Sequence, residues 1–226
     1  MKNDLNKKNG APFAYSNEAI NEFHSDLSSI RKKLEEGNNA NFGDEIERKM
    51  LITIADEDIL HDFLTSHREN KDFKTVIQKV RLIDYFYSTN LRMSGANAFA
   101  EVANIILKCS DFDERVERGC SDLVSEIAND IKKVTETNHF SFVTKYCCNH
   151  NFHVYGNDNY SIYDTAMNKA IPQYLNVTQS YIYNECRGAM DYERYHKIIG
   201  KMIDEYGITT KYKRRDTDFY LWYHYR

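Results

Sequence analysis

The chain has 226 residues, 42% hydrophobic and 28% charged, with 30 Lys+Arg against 34 Asp+Glu and a formal net charge of −4. That length holds one sizeable core, while 2 Pro and 9 Gly are too few for a sandwich or barrel punctuated by tight turns. The acidic balance gives no chain-wide argument for nucleic acid, and no apolar run approaches the roughly 18–20 residues of a membrane span.

The polar, lysine-bearing stretch Met1–Gly10 has no hydrophobic run after it and does not read as a signal peptide. Ser16 then reads as an N-cap, with Ile20, Phe23, Leu27, Ile30 and Leu34 stepping along one helical face. Asn38–Gly43 reads as a loop. A second stripe runs Phe73, Val76, Ile77, Val80 and Ile83; a third Phe99, Val102, Ile105 and Ile106; a fourth Leu123, Val124, Ile127 and Ile131. Such stripes predict core-facing helices. Phe140–Asn149 predicts a short helix and Asn151–Asn159 a polar connection. Asp164 opens a helix to about Tyr174, another covers roughly Asp191–Tyr206, and Asp216–Tyr225 closes the chain with Phe219, Trp222 and Tyr225 on one face. No segment predicts a strand. The expected fold is all-α.

Composition shifts near residue 138. Residues 139–226 hold 14 of the 17 Tyr, the single Trp and 5 of the 8 His, with 11 Lys+Arg against 9 Asp+Glu, a net of +2. Residues 1–138 carry 19 against 25, a net of −6. The acidic half reads as scaffold, and the aromatic, mildly basic half as a contacting surface. Five cysteines without framework spacing suit a reducing compartment, and the expected location is the cytoplasm.

Cys147, Cys148, His150 and His153 form C-C-x-H-x-x-H, a spacing that invites zinc. Adjacent residues on a helix point about 100° apart, so both thiols rarely reach one ion, and neither a metal nor a cofactor is expected. The P-loop, GxGxxG, HExxH and GxSxG motifs are all missing. What remains is Lys145, inside the apolar Phe140–Cys147 segment, and Asp164, 19 positions later at the opening of the next helix. On spacing alone, a snorkelling lysine and an ordinary N-cap explain the pair.

The Thr144-Lys145 pair with its helix-opening Asp164 resembles the helix-hairpin-helix DNA glycosylase superfamily, and within it the 8-oxoguanine DNA glycosylase branch. Ser141–Cys147 and Ile162-Tyr163-Asp164, preceded by Tyr87-Ser88-Thr89-Asn90 and followed by Asp218–Trp222, are similar to small bacterial proteins of the 8-oxoguanine glycosylase fold. The resemblance covers about residues 75–226 and is best from 138 to 175. It implies a two-lobed helical bundle with a cleft between the lobes and no β-domain. Residues 1–95 would form a scaffold, 96–175 the lobe bearing the Lys/Asp pair, and 176–226 helices that pack back on the scaffold. It also implies a DNA glycosylase with abasic-site lyase activity, acting on duplex DNA that carries a damaged or modified base. Lys145 would be the Schiff-base nucleophile and Asp164 its partner.

The residue chemistry is compatible with that reaction. The attacking amine must be neutral, and only about 0.04% of unperturbed lysines are neutral at pH 7, so an apolar setting that lowers the pKa is an asset. A flipped base needs stacking partners, and Tyr146, Tyr155, Tyr163, Phe219 and Trp222 are candidates. Asn90 suits a base edge or strand gap, and Arg92 suits phosphate. Lys211, Lys213, Arg214 and Arg215 form the basic run that would meet the DNA backbone. One departure stands against this picture: Thr137–Phe142, where the family carries a Gly-rich phosphate-gripping hairpin, contains no glycine. The alternative is a non-catalytic module of the same fold that holds nucleic acid or a protein, in a role such as phage defence.

Overall fold

A computed structural model describes residues 11–36 and 45–226. The described residues form eleven α-helical segments and no strand, and none of their helices is long and apolar enough to cross a membrane. The all-α expectation stands. The loop expected at Asn38–Gly43 lies outside the described residues.

The helices are α1 (Asn17–Glu35), α2 (Glu45–Ser66), α3 (Phe73–Tyr87), α4 (Ala98–Lys108), α5 (Phe112–Arg118), α6 (Ser121–Thr135), α7 (Phe140–Tyr155), α8 (Thr165–Tyr174), the short α9 (Gln179–Tyr181), α10 (Tyr192–Glu205) and α11 (Lys213–Tyr225). A 3₁₀ turn (Leu91–Ser94) precedes α4, and a π-helical stretch (Ile182–Gly188) continues α9. Caps start several of them where the sequence signals it. Ser16 Oγ accepts from Ala19 N at 3.2 Å, Asp72 Oδ1 from Thr75 N at 2.9 Å, and Asp191 Oδ1 from Arg194 N at 2.9 Å. The stripes face inward: Ile20, Phe23 and Ile30 of α1, Val76, Val80 and Ile83 of α3, and all four named residues of α6 are buried. Phe73 and Leu34, at stripe ends, remain exposed.

Helix α7 is the centre of the bundle. It packs against α2, α3, α5 and α6, and twelve of its sixteen residues are buried. It also runs further than expected. The polar sequence Asn151–Asn159 reads as a connection, yet the helix continues to Tyr155 and stops at Gly156, whose φ of +70° gives the left-handed C-cap. Its polar residues stay helical because the core satisfies them. Asn151 Nδ2 donates to Val116 O at 2.7 Å, and Asn159 N donates back to Asn151 Oδ1 at 3.0 Å. The closing helix α11 packs on α8, α10 and α1, which brings the C-terminal segment against the N-terminal one.

Candidate active site

Lys145, one and a half turns into α7, is buried, and its Nζ lies 3.8 Å from Asp164 Oδ2. Asp164 is the N-cap of α8: its Oδ1 accepts from Met167 N at 2.9 Å, so one carboxylate oxygen holds the helix and the other faces the lysine. Thr144 links the two segments. Its hydroxyl accepts from Tyr163 N at 3.1 Å, pinning the residue before Asp164 to α7. Burial pulls the Lys145 pKa below its ordinary value, and the attraction of Asp164 only partly offsets this; Arg226 pushes the same way as burial. The face of the Tyr87 ring lies 5.7 Å from Nζ.

The pair sits where two cavities meet. A recess of about 170 Å³, largely apolar, is lined by Ile52, Leu60, Phe86, Ile162, Phe219 and Trp222 and reaches Asp164. An open cleft of about 540 Å³ contains Lys145 itself, with Asn90, Tyr163, Lys169 and Arg187 around it. Tyr87, Asp164, Trp222 and Arg226 belong to both walls.

Beneath the recess lies a charged network. The Arg215 guanidinium donates to Glu57 Oε2 and, at 3.1 Å, to Asn149 Oδ1, while the Tyr87 hydroxyl sits between Glu57 Oε1 and Asn149 Oδ1. Burial alone would push the Glu57 carboxyl up, but Arg215, His153 and Tyr87 outweigh it and hold it down at about 2. Asn149 Nδ2 donates to Lys145 O at 2.8 Å, tying this floor to the backbone of the lysine.

Asp218 is the unusual wall residue. It is 3% exposed, and its Oδ2 accepts from Ile162 N at 2.7 Å. Its Oδ1 is buried without a hydrogen-bond partner. Burial pushes this carboxyl well above the usual range.

The other expected site residues are scattered. Asn90, with a left-handed φ of 61°, lines the cleft, whereas Arg92 is exposed on the 3₁₀ turn and lines neither cavity. Phe219 and Trp222 stack nearly parallel, at 7° and 6.1 Å between centroids, on the recess wall. Tyr163 lines the cleft but is buried, edge-on to Phe140 and Tyr195. Tyr146 belongs to the core: its hydroxyl donates to Asn70 Oδ1 at 2.6 Å, and its ring packs on Phe112 and Phe142. Tyr155 lies edge-on to His150, outside both cavities.

The basic run is divided as well. Arg215 is consumed by Glu57, and Arg214 Nη1 donates to Ser161 Oγ at 3.2 Å and His196 O at 3.4 Å. Asp158 caps the start of α11 by accepting from both their backbone N–H groups at 2.8 Å. Lys211 remains exposed, against the Tyr212 ring. Neither arginine is therefore presented to a phosphate.

The C-C-x-H-x-x-H residues also disperse. Cys147 and Cys148 are buried, and desolvation raises both thiols, Cys148 to about 12. His150 Nε2 faces Asn70 and Asp113, and His153 faces Glu57 and His61.

A family profile described as HI_0787_N, an N-terminal domain, matches residues 29–159, more than half of the chain. The chain belongs to the HI_0787_N family. The match takes in Glu57, Tyr87, Asn149 and Lys145 and ends five positions before Asp164. An uncharacterized protein of Haemophilus influenzae is 26% identical over 147 residues, covering 65% of this chain. The aligned segment spans 64% of that relative's length. No solved structure matches.

Sequence reasoning missed Glu57, Asn149 and Arg226. Glu57 lies in α2, whose apolar residues fall on both sides of the helix, and nothing in the sequence sets Asn149 apart from the rest of its helix. Only the fold joins them to Arg215, 158 positions beyond Glu57.

Proposed function

We propose that the protein is a DNA glycosylase with abasic-site lyase activity, and that its helices form the two-lobed bundle of that superfamily, with the cleft between the lobes. The observation that carries this reading is the buried Lys145 amine, 3.8 Å from a carboxylate whose other oxygen is fixed by a helix cap, at the junction of a recess and an open cleft. The separation is longer than a hydrogen bond, so the amine is held near Asp164 without being locked to it.

In this mechanism the base enters the recess beside Phe219 and Trp222. The neutral Lys145 amine attacks C1′, the C1′–N bond breaks, and the departing base carries away the bonding electron pair. Asp164 Oδ2 stabilises the positive charge that develops on the sugar. The departing base anion takes a proton from the lysine nitrogen. The C1′–O4′ bond then breaks as the nitrogen lone pair forms the C1′=N bond of the Schiff base, and O4′ is protonated from solvent. The lyase step removes a C2′ proton to water and expels the 3′ phosphate.

The test is strand scission of duplexes and of single strands carrying one modified base or one abasic site, with Lys145→Gln as control. Cleavage that disappears in the variant supports the proposal; cleavage by neither protein on any substrate contradicts it. A second reading, the same cleft without chemistry, draws on the turn before α7. Phe140 N donates to Asn138 Oδ1 at 3.0 Å, and Asn138 Nδ2 donates to Arg187 O at 2.7 Å, so this turn spends polar groups internally where the family grips phosphate.

A further inference from the structure

Next to the lysine site lies a third cavity, about 710 Å³, between α1, α2 and α11. Its aromatic wall includes Phe13, Phe23, Trp222, Tyr223 and His224, with Lys49 beside them, and among the described residues no carboxylate side chain lines it. Phe13 stacks on His224 at 4.3 Å, and the Arg226 guanidinium sits 4.5 Å from the centre of the Trp222 ring. Trp222 and Arg226 also belong to the recess and the open cleft, so the three spaces meet around one Trp–Arg pair. On the far side of Lys145 the cleft is cationic too, with Lys169, Arg187 and Arg226 against the single carboxylate of Asp164. Cations therefore flank the lysine on both sides, and one flank is an aromatic groove.

We propose that this groove is a stacking subsite for unpaired nucleotides, and that the preferred ligand is single-stranded DNA. The proposal rests on the glycosylase reading for the chemistry and on the groove for the ligand class. Aromatic faces accept any base and cations accept the intervening phosphates, which is the usual composition of a single-strand channel. A duplex would keep the neighbouring bases paired and out of the groove. The turn before α7, whose Phe140 N–H is already bonded within the protein, offers a duplex little of the usual backbone anchor. The strand would run from the Lys169–Arg187 flank, past the recess that takes one base, and on to the rings beyond Trp222.

Fluorescence anisotropy of the full chain at low salt tests this, with labelled oligo(dT) of about 12 nucleotides, a length suited to one such channel, alone and annealed to oligo(dA). Single-strand affinity exceeding duplex affinity by about 10-fold or more is expected. Phe13→Ala is expected to weaken it about 5-fold or more. Lys49→Glu, at an exposed position, is expected to weaken it as well and to reduce the slope of log affinity against log salt by about 0.7. Schiff-base trapping on an abasic trinucleotide, too short to enter the groove, is expected to be unchanged in Phe13→Ala. Duplex bound as tightly as single strand, or single-strand affinity unmoved by both substitutions, overturns the proposal. Groove-dependent single-strand binding by a protein that traps no Schiff base supports the groove and overturns the glycosylase reading instead.

Discussion

Replacing Asp164 separates its two duties. Asp164→Asn keeps Oδ1 for Met167 N and puts an uncharged amide where Oδ2 faces Lys145; Asp164→Ala loses both. Asn caps about as well as Asp, while Ala forfeits about 1 kcal/mol. Stripping the carboxylate from a buried ammonium costs up to about 3–5 kcal/mol, less whatever the lysine recovers by shedding its proton. The sign with pH follows from the direction of the Lys145 shift. Its folded pKa is already below the unfolded value through burial, and loss of Asp164 lowers it further. An unfolded chain then binds more protons than the native one, so stability rises with pH through that window. Asp164→Asn should thus be most destabilised at neutral pH and approach wild type near pH 10, while Asp164→Ala keeps a residual deficit of about 1 kcal/mol at every pH. Urea unfolding of the three proteins from pH 6 to about pH 10 measures this. A pH-independent penalty in Asp164→Asn would refute the electrostatic coupling, and equal stability of the two variants at high pH would refute the cap.

Four further outcomes follow from the same geometry. Glu57→Ala leaves the buried Arg215 unpaired and should destabilise the fold by about 3–5 kcal/mol, with much of the loss recovered in Glu57→Ala/Arg215→Met, as read by thermal melts. His150, buried and held down to about 4, is neutral in the native state but charges on unfolding below about pH 6.5. Stability should therefore fall by roughly 3 kcal/mol between pH 6.5 and 4, and His150→Asn should flatten that part of the pH–stability curve. Gly119→Ala should cost at least about 1–3 kcal/mol, because φ is +77° and the new Cβ would lie 2.5 Å from Asn159 Cβ; chemical denaturation reads it directly. Asp218→Leu, which strips the buried Ile162 N–H of its acceptor, should cost about 1–3 kcal/mol in chemical denaturation, whereas Asp218→Asn keeps an oxygen for it and should lose less.

Much of the fold is legible because its stripes are one-sided. Ile20–Phe23 and Leu123–Ile131 each bury a single face, and Ser16, Asp72, Asp164 and Asp191 cap at positions that can be named or inferred from residue type. α2 does not show itself, because Met50, Leu51, Ile54, Leu60 and Leu64 bury one broad face while Ile52 and Ile59 sit exposed on the opposite side, which blurs the period. α7 is curtailed in a sequence reading because His150 and Asn151 look solvated, whereas each is buried with a partner. The Lys145–Asp164 pair stands out through the resemblance of its surrounding residues to the glycosylase superfamily, since its spacing alone reads as a snorkelling lysine and an N-cap. The Glu57–Arg215–Tyr87 floor is not, since its charges pair across α2, α3 and α11 and no local pattern records a contact made only by folding. For the same reason the basic run at 211–215 looks like a phosphate-binding patch when two of its arginines are already engaged inside the protein.

Borohydride trapping on an abasic oligonucleotide, followed by peptide mapping of the covalent adduct, tests the central claim most directly. Reduction captures only a Schiff base, so the account predicts a single adduct on the peptide containing Lys145, lost in Lys145→Gln while that variant keeps its helical circular dichroism. An adduct on any other amine, or none from a folded wild-type protein, would contradict it.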